Sequence, residues 1–177
     1  MREMPALTLS PLALADLDEL HEFEQRNRAF FETWINARPK DYYSLDGVAQ
    51  AIDAARRDAE QDRGYQFLLR EDGVLAARVN LSQVRRAHFH SASLGYRVGE
   101  QHQGRGLGKT AVRLAMQQAF AELALWRLEA TSRVENPASI QVLTANGFVQ
   151  FGHARRCFQL GEAWFDLLHF EAHAKPR

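Results

Sequence analysis

Apolar and polar positions alternate in "ALTLSPL", with Leu7 and Leu9 on one side, which predicts a short strand. From Ala13 to about Arg28 the period becomes helical, and "RAFFETWI" (28–35) continues or restarts a helix before Pro39. A further helix is predicted from about Leu45 to Asp62, stopping near Gly64. "YQFLLREDGVLAARVNL" reads as a hairpin: Tyr65 to Arg70, a turn at Asp72-Gly73, then Val74 to Leu81. "FHSASLGYRV" gives a strand ending near Val98, and the string "EQHQGRGLGKTAV" follows it directly. Beyond that string Val112, Met116, Phe120 and Leu123 recur at helical spacing beside Ala111, Ala115 and Ala119, so this helix buries one stripe on a sheet. A strand from Trp126, a helix from Asn136 and two last strands, about Phe148 to Leu160 and Trp164 to Glu171, complete the chain. The order strand, glycine loop, helix, strand, helix predicts an α/β (α+β) fold with a mixed sheet, helices on its faces, and a parallel strand pair around the glycine-loop helix.

Bulk properties narrow the function. The 177 residues carry no repeat or linker and are expected to form a single domain, 1–177. Twenty-two basic residues balance 22 acidic ones, so no overall field draws nucleic acid or an anionic membrane. The single cysteine, Cys157, forms no internal disulfide or thiolate-rich metal site. Acids interrupt the apolar run that a signal sequence needs at the N-terminus, and no stretch approaches membrane-spanning length, so a cytoplasmic protein is expected.

Three phosphate cradles compete for the glycine string. A Walker loop requires a glycine where Gln103 stands, five residues before Gly108-Lys109-Thr110. A Rossmann fingerprint fits Gly106, Gly108 and Ala111, with Glu129 as a ribose-binding acid, yet polar residues separate those glycines from their strand and too little chain remains for a dinucleotide domain. The third pattern, [QR]-x-x-G-x-[GA], belongs to acyl-coenzyme A binders and is met by Gln103, Gly104, Arg105, Gly106, Leu107 and Gly108. Glycines let the backbone approach a diphosphate, unpaired N–H groups at a helix start point at the anion, and Arg105 and Lys109 add full charges.

Here the chain resembles the GNAT superfamily of N-acetyltransferases, and within it the Rim-type branch that acetylates the N-terminal α-amine of ribosomal proteins. "LGYRVGEQHQGRGLG" is similar to that family's strand and pyrophosphate loop, and "VENPASIQVLTANGF" to its downstream asparagine helix; "NRAFFETWINARP" is similar to the aromatic segment before the branch's substrate site. The resemblance implies the GNAT fold, a mostly antiparallel sheet of about six to seven strands with a central parallel pair and helices on both faces. It also implies acetyl-CoA as cosubstrate, no metal, direct transfer without a covalent enzyme intermediate, and a monomer or homodimer.

Site expectations follow. An α-amine has a pKa of about 8 against about 10.4 for lysine, so transfer to a protein N-terminus asks little of a base. Glu129, on the polar face of its strand, is the first candidate base through a water, with an ion pair to Arg97 or Arg133 as the structural alternative; Glu100 is the second candidate. The resemblance assigns Asn136 to the pantetheine arm, although Asn before Pro137 is also what a helix N-cap looks like. It assigns Ser139 to the departing thiolate, because Leu143 stands where many relatives carry an acidic tyrosine, and the main chain near Val98 to the thioester carbonyl. For the acceptor, Phe31, Trp34 and Tyr43, with Phe30 and Tyr42, are expected to line a cleft, Asp41 or Asp46 drawing an ammonium. His88 and His90 alternate onto one face of a strand and, with His102, lack the thiolates or carboxylate a zinc site needs. Three functions stay open: an acetyltransferase for a protein N-terminus, one for a small-molecule amine or antibiotic, and a non-catalytic coenzyme A binding regulator.

Overall fold

The structure, a computed structural model, describes residues 5–175. Its strands are β1 (Leu7–Pro11), β2 (Tyr65–Glu71), β3 (Val74–Arg85), β4 (Ser91–Val98), β5 (Arg127–Arg133), β6 (Val149–Leu160) and β7 (Ala163–His173). Its α-helices are α1 (Leu17–Glu32), α2 (Leu45–Glu60), α3 (Leu107–Gln117) and α4 (Pro137–Ala145). The seven strands form one sheet in the order β1-β2-β3-β4-β5-β7-β6, antiparallel throughout except for β4 beside β5. This is the mixed α/β arrangement that the resemblance implies.

Apolar residues on successive positions of β2 explain why both faces are covered. Phe67 and Leu69 enter one core with Ala111, Val112 and Ala115 of α3 and Leu143 of α4. Leu68 enters the other, with Leu20 and Phe23 of α1 and Val48 and Ile52 of α2. A strand buried on both sides loses the period-two alternation and reads as a continuous apolar run.

Several boundaries differ from the sequence pattern. Helix α1 runs unbroken to Glu32 and stops short of Trp34 and Ile35, whose N–H groups bond back to Phe31 at 3.0 and 3.1 Å in a closing turn. β4 begins at Ser91, so His88 and His90 do not share a strand face; both lie in the β3–β4 connection with φ of 66° and 44°. Left-handed backbone at both histidines destroys the alternation that their spacing suggested. After α3 the helical run widens into a π turn over Gln118–Glu122.

One topological feature makes the site. β4 and β5 pair only at Ser91–Arg127, Ala92–Leu128 and Ser93–Glu129. Beyond that last rung β4 stays on β3 as far as Val98, while β5 stays on β7 as far as Arg133. A wedge-shaped gap therefore opens in the middle of the sheet, and the strand edges that face it have no strand partner. Main-chain groups left this way require another partner, from solvent or a ligand.

Candidate active site

The glycine string closes one side of the gap. Gly104 and Gly106 hold φ of 70° and 74°, in the left-handed region where an L side chain is strained, with open space around both. Gly106 is the N-cap of α3 and supplies no side-chain cap. Among the described residues, the N–H groups of Gly106, Leu107, Gly108 and Lys109 meet no acceptor. Gly108 has a separate reason to be glycine: a Cβ there would lie 3.1 Å from the Tyr96 ring and 3.4 Å from Val98, so α3 sits close against β4. Bare amides at a helix start, in a bend too open to satisfy them internally, fit a phosphate-bearing carrier.

The polar residues of the string are arranged differently from the simplest expectation. Gln103 donates its amide to the Val98 carbonyl at 2.8 Å and fastens the loop to the end of β4. Arg105 donates to buried Glu71 of β2 at 2.8 Å, with His102 Nδ1 3.8 Å from the same carboxylate. Lys109 stays exposed, and its carbonyl accepts from Asn146 at 3.1 Å. Sequence reasoning missed Asn27, buried on α1, whose Oδ1 accepts the Glu100 N–H at 2.8 Å and pins the turn leading into the loop. Glu100 is exposed.

Across the gap, Asn136 is the N-cap of α4, its Oδ1 accepting the Ser139 N–H at 3.1 Å. Its amide nitrogen has no partner among the described residues and remains free to donate. Leu143 is buried in the core, while a phenol comes from elsewhere: Tyr96 of β4 faces Ser139. Burial pushes the Tyr96 phenol up, and the Ser139 side chain pulls the other way. The signal for Tyr96 was available, a hydroxyl-bearing aromatic between Leu94 and Val98 in an otherwise apolar row.

The opposite face of the sheet carries the charged wall. Glu129 sits on the last β4–β5 rung with its side chain 43% exposed, and its ion pair is with Arg127, which also holds Glu171 at 2.7 Å. The expected pairing with Arg97 or Arg133 does not form. Arg127 is two residues away on the same face of the same strand, whereas Arg133 is drawn 3.6 Å over the Phe165 ring and 5.4 Å from Trp34. Arg97 lies 5.6 Å from the Phe31 ring. Phe31 and Trp34 thus come together with the arginines at the gap. Tyr43 does not: its ring lies under Arg28, 4.2 Å away, and its hydroxyl donates to Glu32. Tyr42 is the tyrosine that turns inward, 3.1 Å from Arg78 and 4.1 Å from the Arg38 guanidinium. Asp41 and Asp46 are exposed, and Asp46 accepts from Gln50.

No group of His, Cys, Asp or Glu among the described residues is placed to hold a metal ion, and no helix there is long and apolar enough to cross a membrane.

Comparison with known proteins agrees with this geometry. Residues 6–149 match the family described as "Acetyltransferase (GNAT) domain". The chain is 34% identical over 158 residues to "Probable N-acetyltransferase YjcK" of Bacillus subtilis, covering 88% of this chain and 87% of the relative. It is 25% identical to the [Ribosomal protein uS5]-alanine N-acetyltransferase of Escherichia coli, over 85% and 79% of the two chains. It is also 28% identical to a spermidine N(1)-acetyltransferase of Vibrio cholerae, over 91% and 89%. Among solved structures, the ribosomal-protein-S5-alanine acetyltransferase of Vibrio fischeri superposes with a TM-score of 0.91 at 22% identity, covering 97% of this chain and 95% of that one.

Proposed function

The chain belongs to the GNAT acetyltransferase family, and from that premise we propose that it transfers the acetyl group of acetyl-CoA to the N-terminal α-amine of a protein, a ribosomal protein foremost. The observation that carries this reading is the gap between β4 and β5, with free helix-start amides on one side and an aromatic and charged wall on the other. A carrier and an amine can enter it from opposite faces of the sheet. The similarity to an enzyme named for a ribosomal protein's N-terminal alanine supports the choice of acceptor.

Acetyl-CoA supplies an activated thioester: the amine nitrogen bonds the acetyl carbon, the C–S bond breaks with its electron pair on sulfur, and the nitrogen loses a proton. The chain's own residues do the rest. The N–H groups from Gly106 to Lys109 grip the diphosphate, in a bend that Gly104 and Gly106 make possible and Gln103 anchors. Arg105, held on Glu71, stiffens that bend, and the Lys109 ammonium adds charge at its mouth. The main chain at Val98 takes the acyl carbonyl, and the free amide nitrogen of Asn136 takes the carrier's arm. Ser139, facing Tyr96, passes a proton to the sulfur and regains one from solvent. Glu129, paired with Arg127, accepts the amine proton through water. Phe31 and Trp34 flank the incoming chain end, and Tyr43 buttresses α1 behind them.

The test is to incubate the protein with acetyl-CoA and three peptides: one with a free α-amine, one blocked at that amine, and one blocked there but carrying a lysine. Thiol release is followed by colour, and mass spectrometry locates the acetyl group. Transfer to the free α-amine alone is expected. Calorimetric binding of acetyl-CoA without transfer to any amine would replace the enzyme with a coenzyme A binding regulator.

A further inference from the structure

The acceptor wall holds more positive charge than the protein itself neutralises. Arg78 of β3 and Arg97 of β4 stand directly opposite each other, an arrangement that destabilises a sheet when the charges are alike. Arg78 is compensated, since Glu24, 1% exposed, bonds its guanidinium and Gln66 accepts from it at 2.7 Å. Arg97 is not. Among the described residues no carboxylate lies within ion-pair distance of Arg97 or of the neighbouring Arg38; Glu24 attracts Arg97 only from beyond that distance. Burial, and secondarily Arg38, pull the Arg97 pKa down to about 10. On the other arm of the gap, Arg133 is as many residues beyond the last rung as Arg97 is. Its side chain is 12% exposed, and its Nε, 3.5 Å from Glu135 but out of alignment, has no hydrogen-bond partner.

Desolvating an unpaired guanidinium costs stability, and such a cost is expected to persist where a ligand completes the pair. A planar fork of N–H donors is the group best matched to a carboxylate. The same face is polarised along its length. At the closed end of the gap Glu129 and Glu171 share Arg127, leaving that end acidic, while Arg97 with its neighbour Arg38, and Arg133 partly offset by Glu135, make the open end basic. The two ends are about four strand residues apart, roughly 13 Å.

On the reading that this chain acetylates a primary amine, we propose that its acceptor also carries a carboxylate, and that Arg97, backed by Arg38, binds that group while the amine enters the gap. Two sources offer this chemistry, a peptide terminus with an acidic side chain a few residues in and a free acidic amino acid. The separation favours the peptide, since an extended backbone advances about 3.3 to 3.6 Å per residue, so an acid at the third position covers about half of the distance by backbone and reaches on with its side chain. A polyamine is disfavoured, because its second ammonium would meet arginines.

The experiment compares kcat/KM with acetyl-CoA for peptides identical except for Glu, Gln or Lys at the third position, alongside free glutamate and spermidine. The Glu peptide is expected to exceed its Gln counterpart by about tenfold, as one charge-assisted contact allows, with Lys lowest. Arg97→Gln should bring the Glu-to-Gln ratio close to unity, and Arg97→Lys should retain part of it; calorimetric binding of acetyl-CoA to each variant reports that it is folded. Preference for free glutamate would keep carboxylate recognition and move the source to a small molecule. Equal rates for Glu and Gln peptides, a ratio unmoved by Arg97→Gln, or faster turnover of spermidine would overturn the inference while leaving acetyl transfer intact. Bound acetyl-CoA with no amine acetylated would remove the acetyltransferase reading and this inference together.

Discussion

Replacing Glu24 by glutamine removes the buried carboxylate that pairs with Arg78 while keeping its shape. Glu24 is fully buried and bonds Arg78, whose other partners, Gln66 at 2.7 Å and Tyr42 at 3.1 Å, are neutral. The variant therefore strands the Arg78 charge opposite Arg97, with Arg38 beside them. Breaking a buried pair by removing one partner costs about 3 to 5 kcal/mol. Glutamine opens no cavity and still offers Arg78 a carbonyl, which places Glu24→Gln at about 3 kcal/mol. For a chain of this size that is a fall in Tm of roughly 6 to 12 °C. Urea and thermal unfolding followed by circular dichroism measure it, on wild type, Glu24→Gln, and the same variant combined with Arg97→Met or Arg78→Met. Each double variant removes one of the opposed charges and should recover more than half of the loss, giving a coupling energy well outside additivity. Added salt should not reproduce the effect, because screening acts weakly on a buried pair. A Glu24→Gln variant within about 1 kcal/mol of wild type, or a double variant no more stable than the single, would refute the account of this cluster.

Arg97→Met alone should stabilise the protein: a guanidinium pKa pulled well below its ordinary value, to about 10, corresponds to up to about 3 kcal/mol. That cost is present at all pH values below the folded pKa and is relieved only as pH rises from there toward the unfolded value, so denaturant midpoints should show a gain that is flat across neutral pH. Gly106→Ala imposes a side chain on a φ of 74° and should weaken acetyl-CoA binding by about tenfold, the equivalent of 1 to 2 kcal/mol of left-handed strain; calorimetry giving an unchanged Kd would disprove the cradle's dependence on that bend. Glu129→Gln should lower kcat/KM by about tenfold or more near neutral pH, the deficit shrinking above about pH 8 where the α-amine is already neutral; a deficit constant across the pH profile would contradict the base assignment. Ser139→Ala should lower kcat and leave the acetyl-CoA Kd unchanged in the same calorimetric titration.

The periodicity located nearly every element because local burial enforces it. The apolar stripe of α3 and the hairpin at Asp72-Gly73 are visible in twelve or so consecutive residues each. Boundaries moved where the backbone left the regular regions, as at His88 and His90, whose left-handed φ no alternation of side chains records. The glycine bend was equally legible, since Gly104, Gly106 and Gly108 serve steric demands that other residue types meet poorly. Partners of the polar side chains were not. Gln103 turned to Val98, Arg105 to Glu71, and Glu129 to Arg127, because long side chains choose among neighbours supplied by other strands.

The sequence by itself determined the strand and helix order, the bend that exposes helix-start amides, and the N-cap at Asn136, each a property of a short segment and its own dihedrals. Only the tertiary structure decided that β4 and β5 part after Ser93 and Glu129, that Arg78 faces Arg97 across β3 and β4, and that the buried carboxylate of Glu24 on α1 forms its ion pair with Arg78. Charge balance in the arginine-rich wall arises from residues 24, 38, 78, 97 and 133, far apart in the chain. It exists only once strand register and helix packing gather them on one face of the sheet, where desolvation turns ordinary surface charges into strongly interacting ones.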